Sequence, residues 1–246
     1  MKLQKLLSYV RRAVEDYHMI EQGDKIAVGV SGGKDSICLL LALKHLQRFY
    51  PKKFELEAIT VSLGLPGAVY DDIEAFCNEI GVHYTVVHTD IGQIIFHERK
   101  EKNPCSLCAK MRKGALNDMA EKLGCNKVAL GHNKDDVVET FFMSLFYEGR
   151  INCFAPVSFL DRKQIYSIRP LMYVPEPEIK GFIQKSGLSI VKNPCLADGN
   201  TKRQETKELL ADLSKQYDHL QEKVFGAICR SDLKGWKKPV SHTEKT

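Results

Sequence analysis

Two cysteines three residues apart indicate a candidate metal site. The stretch NPCSLCAK, residues 103–110, holds Cys105 and Cys108, and no other pair among the eight cysteines of the chain has this spacing. Thiolates at C-x-x-C spacing bind zinc or iron-sulfur clusters, and a structural zinc site needs four Cys or His ligands. From the residues alone, His97 or Cys125 is available to help complete a zinc site, and unliganded thiols are a further alternative.

A glycine-rich stretch, VGVSGGKDS at residues 28–36, predicts a phosphate-binding turn. Consecutive glycines let the backbone approach a ligand closely, and the N-terminus of the following helix favours an anion. Lys34 adds a cation, and the hydroxyls of Ser31 and Ser36 can donate to phosphate oxygens. A Walker A loop requires Ser or Thr after its lysine, where Asp35 stands, so the loop is of another type.

A third stretch, LGHNKDDVVETFF at residues 130–142, follows a predicted strand and opens a predicted helix. Asp135 and Asp136 fall in the first helical turn, where carboxylates suit the helix dipole. Locally they could serve the helix alone. If the strand belongs to a parallel sheet, however, His132, Asp135 and Asp136 lie at its carboxyl edge, where ligands bind. We therefore expect contacts to ATP, Mg²⁺ or substrate here.

The elements that position these motifs alternate along the chain. Hydrophobic periodicity predicts strands at about residues 25–30, 54–61, 82–88, 127–131 and 164–168. Helices are predicted at about residues 3–20, 34–49, 70–80, 106–123 and 135–147, and after Pro177. This order predicts an α/β fold, a twisted parallel sheet with helices on both faces, preceded by a short N-terminal helix and followed by a C-terminal helical extension.

Length and composition favour one main domain. With 246 residues, of which 43% are hydrophobic, we expect an N-terminal helix (1–22), a catalytic domain (23–200) and a helical extension with a disordered tail (201–246). The absence of a long apolar run or a signal-like start predicts a cytoplasmic protein without a membrane partner. The net charge of +5 permits a nucleic-acid partner without requiring one.

Several of these motifs resemble those of one family. Residues 28–36 resemble the PP-loop signature of the ATP pyrophosphatase superfamily, and NPCSLCAKMRKGAL, LGHNKDDVVETFFMSLFYEGR and SIRPL resemble segments of the tRNA 2-thiocytidine synthetase (TtcA) family. The resemblance implies an adenine nucleotide alpha hydrolase-like fold in which Lys34, Asp35 and Asp136 are catalytic. The residues implied to bind ATP and Mg²⁺ are Ser31, Gly32, Gly33, Lys34, Asp35, Ser36, His132 and Asp135.

The same resemblance implies a 4Fe-4S cluster with three cysteine ligands, Cys105, Cys108 and Cys195. Three thiolates leave one of the four irons open to bind a sulfur atom. Two positions depart from the family pattern. Asp198 stands where many members have a further cysteine, which favours three ligands, and Ser62 stands where an aspartate is usual. The other cysteines, Cys38, Cys77, Cys125, Cys153 and Cys229, are expected to be packing residues.

The implied activity is ATP-dependent, iron-sulfur-dependent thiolation of tRNA. ATP would adenylate C2 of the anticodon-loop cytidine at position 32, sulfur would replace its oxygen, and a cysteine desulfurase would supply the sulfur. The candidate RNA contacts are Lys110, Arg112, Lys113, Arg150 and Arg169. A homodimer is expected by analogy. The alternatives are a tRNA uridine thiolase, a PP-loop ligase with a structural zinc, and a non-catalytic nucleotide sensor that carries a cluster.

Overall fold

The computed structural model describes residues 1–67, 69–95, 104–188 and 201–238. Six strands form one sheet: β1 (Asp24–Gly29), β2 (Phe54–Val61), β3 (His83–Val87), β4 (Lys127–Ala129), β5 (Val157–Leu160) and β6 (Ile165–Ile168). The helices of this part of the chain are α1 (Leu3–Asp16), α2 (Lys34–Leu46), α3 (Asp71–Glu79), α4 (Ile91–Gln93), α5 (Pro104–Lys122), α6 (Lys134–Glu148), α7 (Glu176–Ser186), α8 (Lys202–Gln216) and α9 (Leu220–Arg230).

The sheet has the strand order β3-β2-β1-β4-β6-β5. Its first five strands are parallel, as the alternation of helices and strands predicted. The last strand in this order, β5, lies at the edge of the sheet; it was not predicted and runs antiparallel to β6. Only residues 161–164 separate the two strands, and this connection is too short for the crossover that a parallel pair requires. The predicted parallel sheet is therefore confirmed for five strands, and an antiparallel strand extends it at this edge.

Helices cover both faces of the sheet, as expected. One face carries the main hydrophobic core, to which α1 contributes the fully buried Leu6, Val10 and Val14. On the other face α5 packs Leu116 and Ala120 against a separate cluster that includes strand residues. This arrangement leaves the carboxyl ends of β1, β2, β4 and β6 at one edge of the sheet, which is where the sequence motifs lie.

The C-terminal helices return to the N-terminal helix. Trp236 is fully buried and makes edge-to-face ring contacts with Tyr17, next to α1, and with Phe225 of α9. Such aromatic contacts add to the hydrophobic gain of burying a large ring. The tail expected to be disordered is residues 237–246, of which residues 239–246 lie outside the described residues. Across the ranges given above, none of the helices combines the length and apolarity needed to cross a bilayer.

Candidate active site

The glycine-rich turn joins β1 to α2, as predicted. Gly32 adopts a φ of +80°, a left-handed conformation that suits a residue without a side chain. The Ser36 hydroxyl donates to the carbonyl oxygen of Gly33 at 2.9 Å, and the backbone N–H of Ser31 donates to the Ser36 oxygen at 3.1 Å. The Ser31 hydroxyl accepts the N–H of Gly33 at 3.4 Å, so both hydroxyls shape the loop itself. The backbone N–H groups at the start of α2 are the groups best placed to bind an anion.

The stretch after β4 is bonded directly to this loop. Asn133 donates from its side-chain amide to Asp35 Oδ1 at 2.9 Å. Asn133 also caps α6 in a reciprocal box: its Oδ1 accepts the Asp136 N–H at 3.1 Å, and Asp136 Oδ2 accepts the Asn133 N–H at 2.9 Å. Gly131 allows the close approach, because a Cβ there would lie 3.1 Å from the backbone of Asp35. Asp35 and Asp136, two predicted catalytic residues, are therefore brought together.

Lys34 lies between two carboxylates. Its ammonium nitrogen is 2.7 Å from Asp35 Oδ2 and 3.0 Å from Glu176 Oε1. Burial would lower the pKa of Lys34, but hydrogen bonds to these two carboxylates outweigh it and raise the pKa. Asp135, expected to contact ATP or Mg²⁺, is buried and accepts the backbone N–H of Glu176 at 2.6 Å through Oδ2. Asp135 thus fixes the start of α7, and burial raises its pKa.

Helix α8 completes the site, and the sequence interpretation did not identify its residues. Arg203 bridges two carboxylates of α6, with Nη1 3.2 Å from Asp136 Oδ1 and 3.0 Å from Glu139 Oε2. One turn later, Lys207 lies 2.6 Å from Glu176 Oε2. Together with the PP-loop these side chains line a cavity of about 230 Å³. The only sequence feature that could have indicated these residues is the concentration of charges in KRQETK, residues 202–207. It does not identify a site, because charged residues on a helix are commonly solvated.

The C-x-x-C pair lies in the first turn of α5. Cys105 is exposed, whereas Cys108 is half-buried and packs against a small apolar cluster of Leu63, Ile91 and Ile95. Residues three apart share one helix face, so both thiols can bind the same group, and the positive end of the helix dipole suits thiolate ligands. The two thiols therefore fit a soft metal centre such as an iron-sulfur cluster. Cys195, the predicted third ligand, lies outside the described residues.

The cysteines described elsewhere in the structure are buried or half-buried. Cys125, considered as a zinc ligand, follows the opposite end of α5, which lies roughly 20 Å from Cys108 at the usual helical rise. It is buried, which raises the pKa of its thiol to about 11. Burial also raises the thiol pKa of Cys38, Cys77, Cys153 and Cys229. All five have the surroundings expected of packing residues. The other zinc candidate, His97, falls outside the described residues.

A second cavity, of about 310 Å³, connects the PP-loop with the C-x-x-C helix. Ser31 lines one side and Arg112 and Lys113 line the other, with His132 also on the wall. His132 packs on Phe154 with 4.8 Å between the ring centres, and its Nδ1 has no hydrogen-bond partner among the described residues. Burial lowers the pKa of His132 to about 3, and the cations around it act in the same direction. The imidazole is therefore neutral at physiological pH.

Only some of the residues expected to contact RNA are accessible cations near the carboxyl edge of the sheet. Lys110 and Lys113 are exposed on α5, and Arg112 is half-exposed beside them. Arg150 is exposed and follows α6, whose 15 residues span roughly 22 Å from the edge at which the helix begins; its contact with RNA stays a prediction. Arg169 is at the edge but only 5% exposed, and it donates to the Ala155 carbonyl rather than facing solvent.

Ser62, the departure from the family pattern, also lies at this edge, immediately after β2. It is buried, its N–H donates to the Val87 carbonyl at 2.8 Å, and its hydroxyl accepts the N–H of Gly64 at 3.3 Å. A serine here forms part of the turn that follows the strand. It provides no negative charge at this position.

Comparison with known proteins agrees with this geometry. Residues 4–212 match the PP-loop domain family. The chain is 41% identical over 232 residues to a tRNA-cytidine(32) 2-sulfurtransferase of Teredinibacter turnerae, covering 93% of this chain and 77% of that protein. It is 38% identical over 231 residues to the protein of that name from Geobacter sulfurreducens, covering 93% and 90%.

Two solved structures have the same fold. The U34-tRNA thiolase NcsA of Methanococcus maripaludis, which contains a 4Fe-4S cluster, superposes with a TM-score of 0.75 and is 26% identical; the match covers 91% of this chain and 76% of that one. The NH3-dependent NAD synthetase of Campylobacter jejuni, at 17% identity, has a TM-score of 0.50 and a match that covers 92% of each chain. The chain therefore belongs to the PP-loop family and, within it, to the tRNA-cytidine(32) 2-sulfurtransferases.

Proposed function

We propose that this chain is an ATP-dependent, iron-sulfur-dependent tRNA sulfurtransferase that converts cytidine 32 of the anticodon loop to 2-thiocytidine. The observation that carries the proposal is the cavity of about 310 Å³, because PP-loop residues and C-x-x-C helix residues line the same space. A nucleotide on the loop and a sulfur-carrying group on the helix can then act on one base. The family membership of the chain supports the same activity.

In the first step, the PP-loop binds the triphosphate of ATP. The N–H groups that open α2 and the ammonium of Lys34 stabilise negative charge that accumulates on the departing pyrophosphate. The C2 oxygen of cytidine attacks the α-phosphorus, so one O–P bond forms and the bond to pyrophosphate breaks. Asp35 and Asp136, joined through Asn133, are the carboxylates proposed to hold Mg²⁺ together with the phosphates, since Mg²⁺ commonly takes one or two carboxylates at such sites.

In the second step, sulfur replaces oxygen at C2 and AMP leaves with that oxygen. Sulfur at the oxidation level of sulfide makes this exchange redox-neutral. A 4Fe-4S cluster, when bound, supplies an iron with an open position that can carry such a sulfur atom. We propose Cys105, Cys108 and Cys195 as its three ligands. The proposed original source of sulfur is a cysteine desulfurase, whose persulfide sulfur is reduced to sulfide by a thiol reductant, which is oxidised to a disulfide.

The target base must leave its stack to enter the cavity, as bases of RNA loops can do. Lys110, Arg112 and Lys113 are the cations proposed to hold the adjoining phosphates, because they follow Cys108 by two to five residues on α5. His132 contributes a neutral ring to the cavity wall, so it neither repels the cations beside it nor provides a counter-charge for phosphate. A homodimer and a cytoplasmic location remain proposals by analogy.

The proposal is tested by metal analysis of protein purified without oxygen. We expect about four irons and four sulfides per chain and a broad visible absorption band that reduction bleaches. Stoichiometric zinc without colour would contradict the proposal and favour a PP-loop ligase with a structural metal. ATP binding without tRNA-dependent release of pyrophosphate would instead favour a nucleotide sensor.

A further inference from the structure

One carboxylate links the PP-loop to the C-terminal helices. Glu176, at the start of α7, places Oε1 3.0 Å from Lys34 and Oε2 2.6 Å from Lys207 of α8. Lys180, one turn further along α7, is 3.3 Å from Oε2. Only 11% of the Glu176 side chain is exposed. Burial would raise the pKa of Glu176, but the ion pairs with Lys207 and Lys34 prevail and lower the pKa to about 2, so Glu176 stays ionised.

A nucleotide bound at the PP-loop would compete for the contacts of Lys34. Its charge is balanced by Asp35 and Glu176, so an ATP phosphate that competes for the ammonium weakens its contact with at least one of them. If Lys34 were the main partner of Glu176, this movement would leave a nearly buried carboxylate without a cation, which is strongly unfavourable. The cost would be subtracted from the affinity for ATP.

We propose that Lys207 is a positioning residue which keeps Glu176 paired when Lys34 turns to the phosphates. The inference rests on the proposed function, because it requires ATP to bind at the PP-loop. Lys207 has the shortest contact to Glu176 and uses the oxygen that Lys34 does not, so both lysines can be bound and one can leave. Lys180 is a weaker substitute, because its side chain is 51% exposed and its contact is longer.

The surrounding contacts hold Lys207 in place for this role. Thr201 caps α8 by accepting the N–H of Gln204 at 3.2 Å, and Arg203 ties the same first turn to Asp136 and Glu139 of α6. Since Lys207 lies one turn after Arg203, its ammonium is presented to Glu176 from a helix that is anchored at its start. The position of α8 therefore sets how freely Lys34 can move.

The test measures binding of α,β-methylene ATP with Mg²⁺ by titration calorimetry on iron-loaded protein without tRNA. We expect Lys207→Met to weaken binding about tenfold, which corresponds to ~1.4 kcal/mol. Lys207→Arg, which retains the ion pair, should bind within about twofold of the unaltered protein. Lys215→Met is the control, because it removes one charge from the same helix and Lys215 pairs with Asp212 rather than with Glu176.

A double variant separates positioning from a general loss of charge. Glu176→Gln removes the carboxylate that holds Lys34, so Glu176→Gln combined with Lys207→Met should bind the analogue about as tightly as the unaltered protein. Unchanged affinity in Lys207→Met, or losses in Glu176→Gln and Lys207→Met that simply add in the double variant, would overturn the inference while leaving the proposed function intact. Failure of the unaltered protein to bind the analogue would overturn both. Iron content and the unfolding midpoint of each variant establish that it is folded.

Discussion

The ion pairs of Arg203 lead to a quantitative prediction about stability. Its guanidinium lies 3.0 Å from Glu139 and 3.2 Å from Asp136, and the Glu139 side chain is only 7% exposed. Removing one partner of a fully buried pair costs ~3–5 kcal/mol. Arg203 itself is 41% exposed, so solvent screens the interaction and the expected loss is smaller. For Arg203→Met we expect the free energy of unfolding to fall by ~1–2 kcal/mol near pH 7.5.

The loss should depend on pH in a defined direction. Burial already raises the pKa of Glu139, even though Arg203 opposes the shift, and removing Arg203 raises it further. A carboxyl group whose pKa is higher in the folded state destabilises the fold at pH values above that pKa. This penalty decreases as the pH falls towards the pKa of the unfolded chain, ~4.3 for glutamate. The difference between Arg203→Met and the unaltered protein should therefore be smaller at pH 5.5 than at pH 7.5.

The assay is urea unfolding followed by circular dichroism, under anaerobic conditions and with matched iron content. Lys202→Met is the control, because Lys202 is an exposed neighbour paired with Glu205 and should change stability by less than ~0.5 kcal/mol. Adding Glu139→Gln to Arg203→Met should recover part of the loss, since it removes the more buried of the two unpaired carboxylates. A loss that is equal at both pH values and unaffected by Glu139→Gln would refute the electrostatic explanation.

Three further predictions concern the cluster, the nucleotide and the buried histidine. Cys195→Ala should lose bound iron as completely as Cys105→Ala, whereas Cys125→Ala should retain it; full iron retention in Cys195→Ala would exclude that ligand. Lys34→Ala should keep the cluster but abolish tRNA-dependent pyrophosphate release, and an unchanged release rate would remove Lys34 from the mechanism. Burial lowers the pKa of His132 to about 3, whereas a histidine of the unfolded chain has a pKa of ~6.5. Between these values the unfolded chain binds a proton that the folded protein does not, so the free energy of unfolding falls as the pH falls below ~6.5. His132→Gln should make the stability less dependent on pH between 4 and 6.5, as measured by urea unfolding; identical pH profiles would show that the imidazole is not buried in its neutral form.

The parts of the fold that depend on local pattern were predictable from sequence. The alternation of helices and strands gave the sheet, and β1, predicted at about residues 25–30, spans Asp24–Gly29. The PP-loop is likewise encoded locally, because its residues are close together in the sequence; the same holds for the capping box of α6. Strand β5 was missed because its four residues lie at the sheet edge, where burial is incomplete and hydrophobic periodicity is weak.

The charged partners of the site could not be obtained in the same way. Glu176 lies 142 residues from Lys34 along the chain, and Arg203 lies 67 residues from Asp136. A sequence pattern does not specify which charges meet over such separations. The burial of Arg169 is a related case: its position at the end of a strand was predictable, but its contact with Ala155 depends on the loop before β5.

The central claim is that this chain thiolates cytidine 32 of tRNA, and nucleoside analysis tests it most directly. Iron-loaded protein is incubated without oxygen with ATP, Mg²⁺, sulfide and tRNA from a strain that lacks the modification. The tRNA is then digested and its nucleosides are analysed by mass spectrometry. We predict 2-thiocytidine that requires ATP and is absent when position 32 is changed to uridine. Formation of 2-thiouridine, or of no thiolated nucleoside by protein that carries a full cluster and binds ATP, would contradict the account.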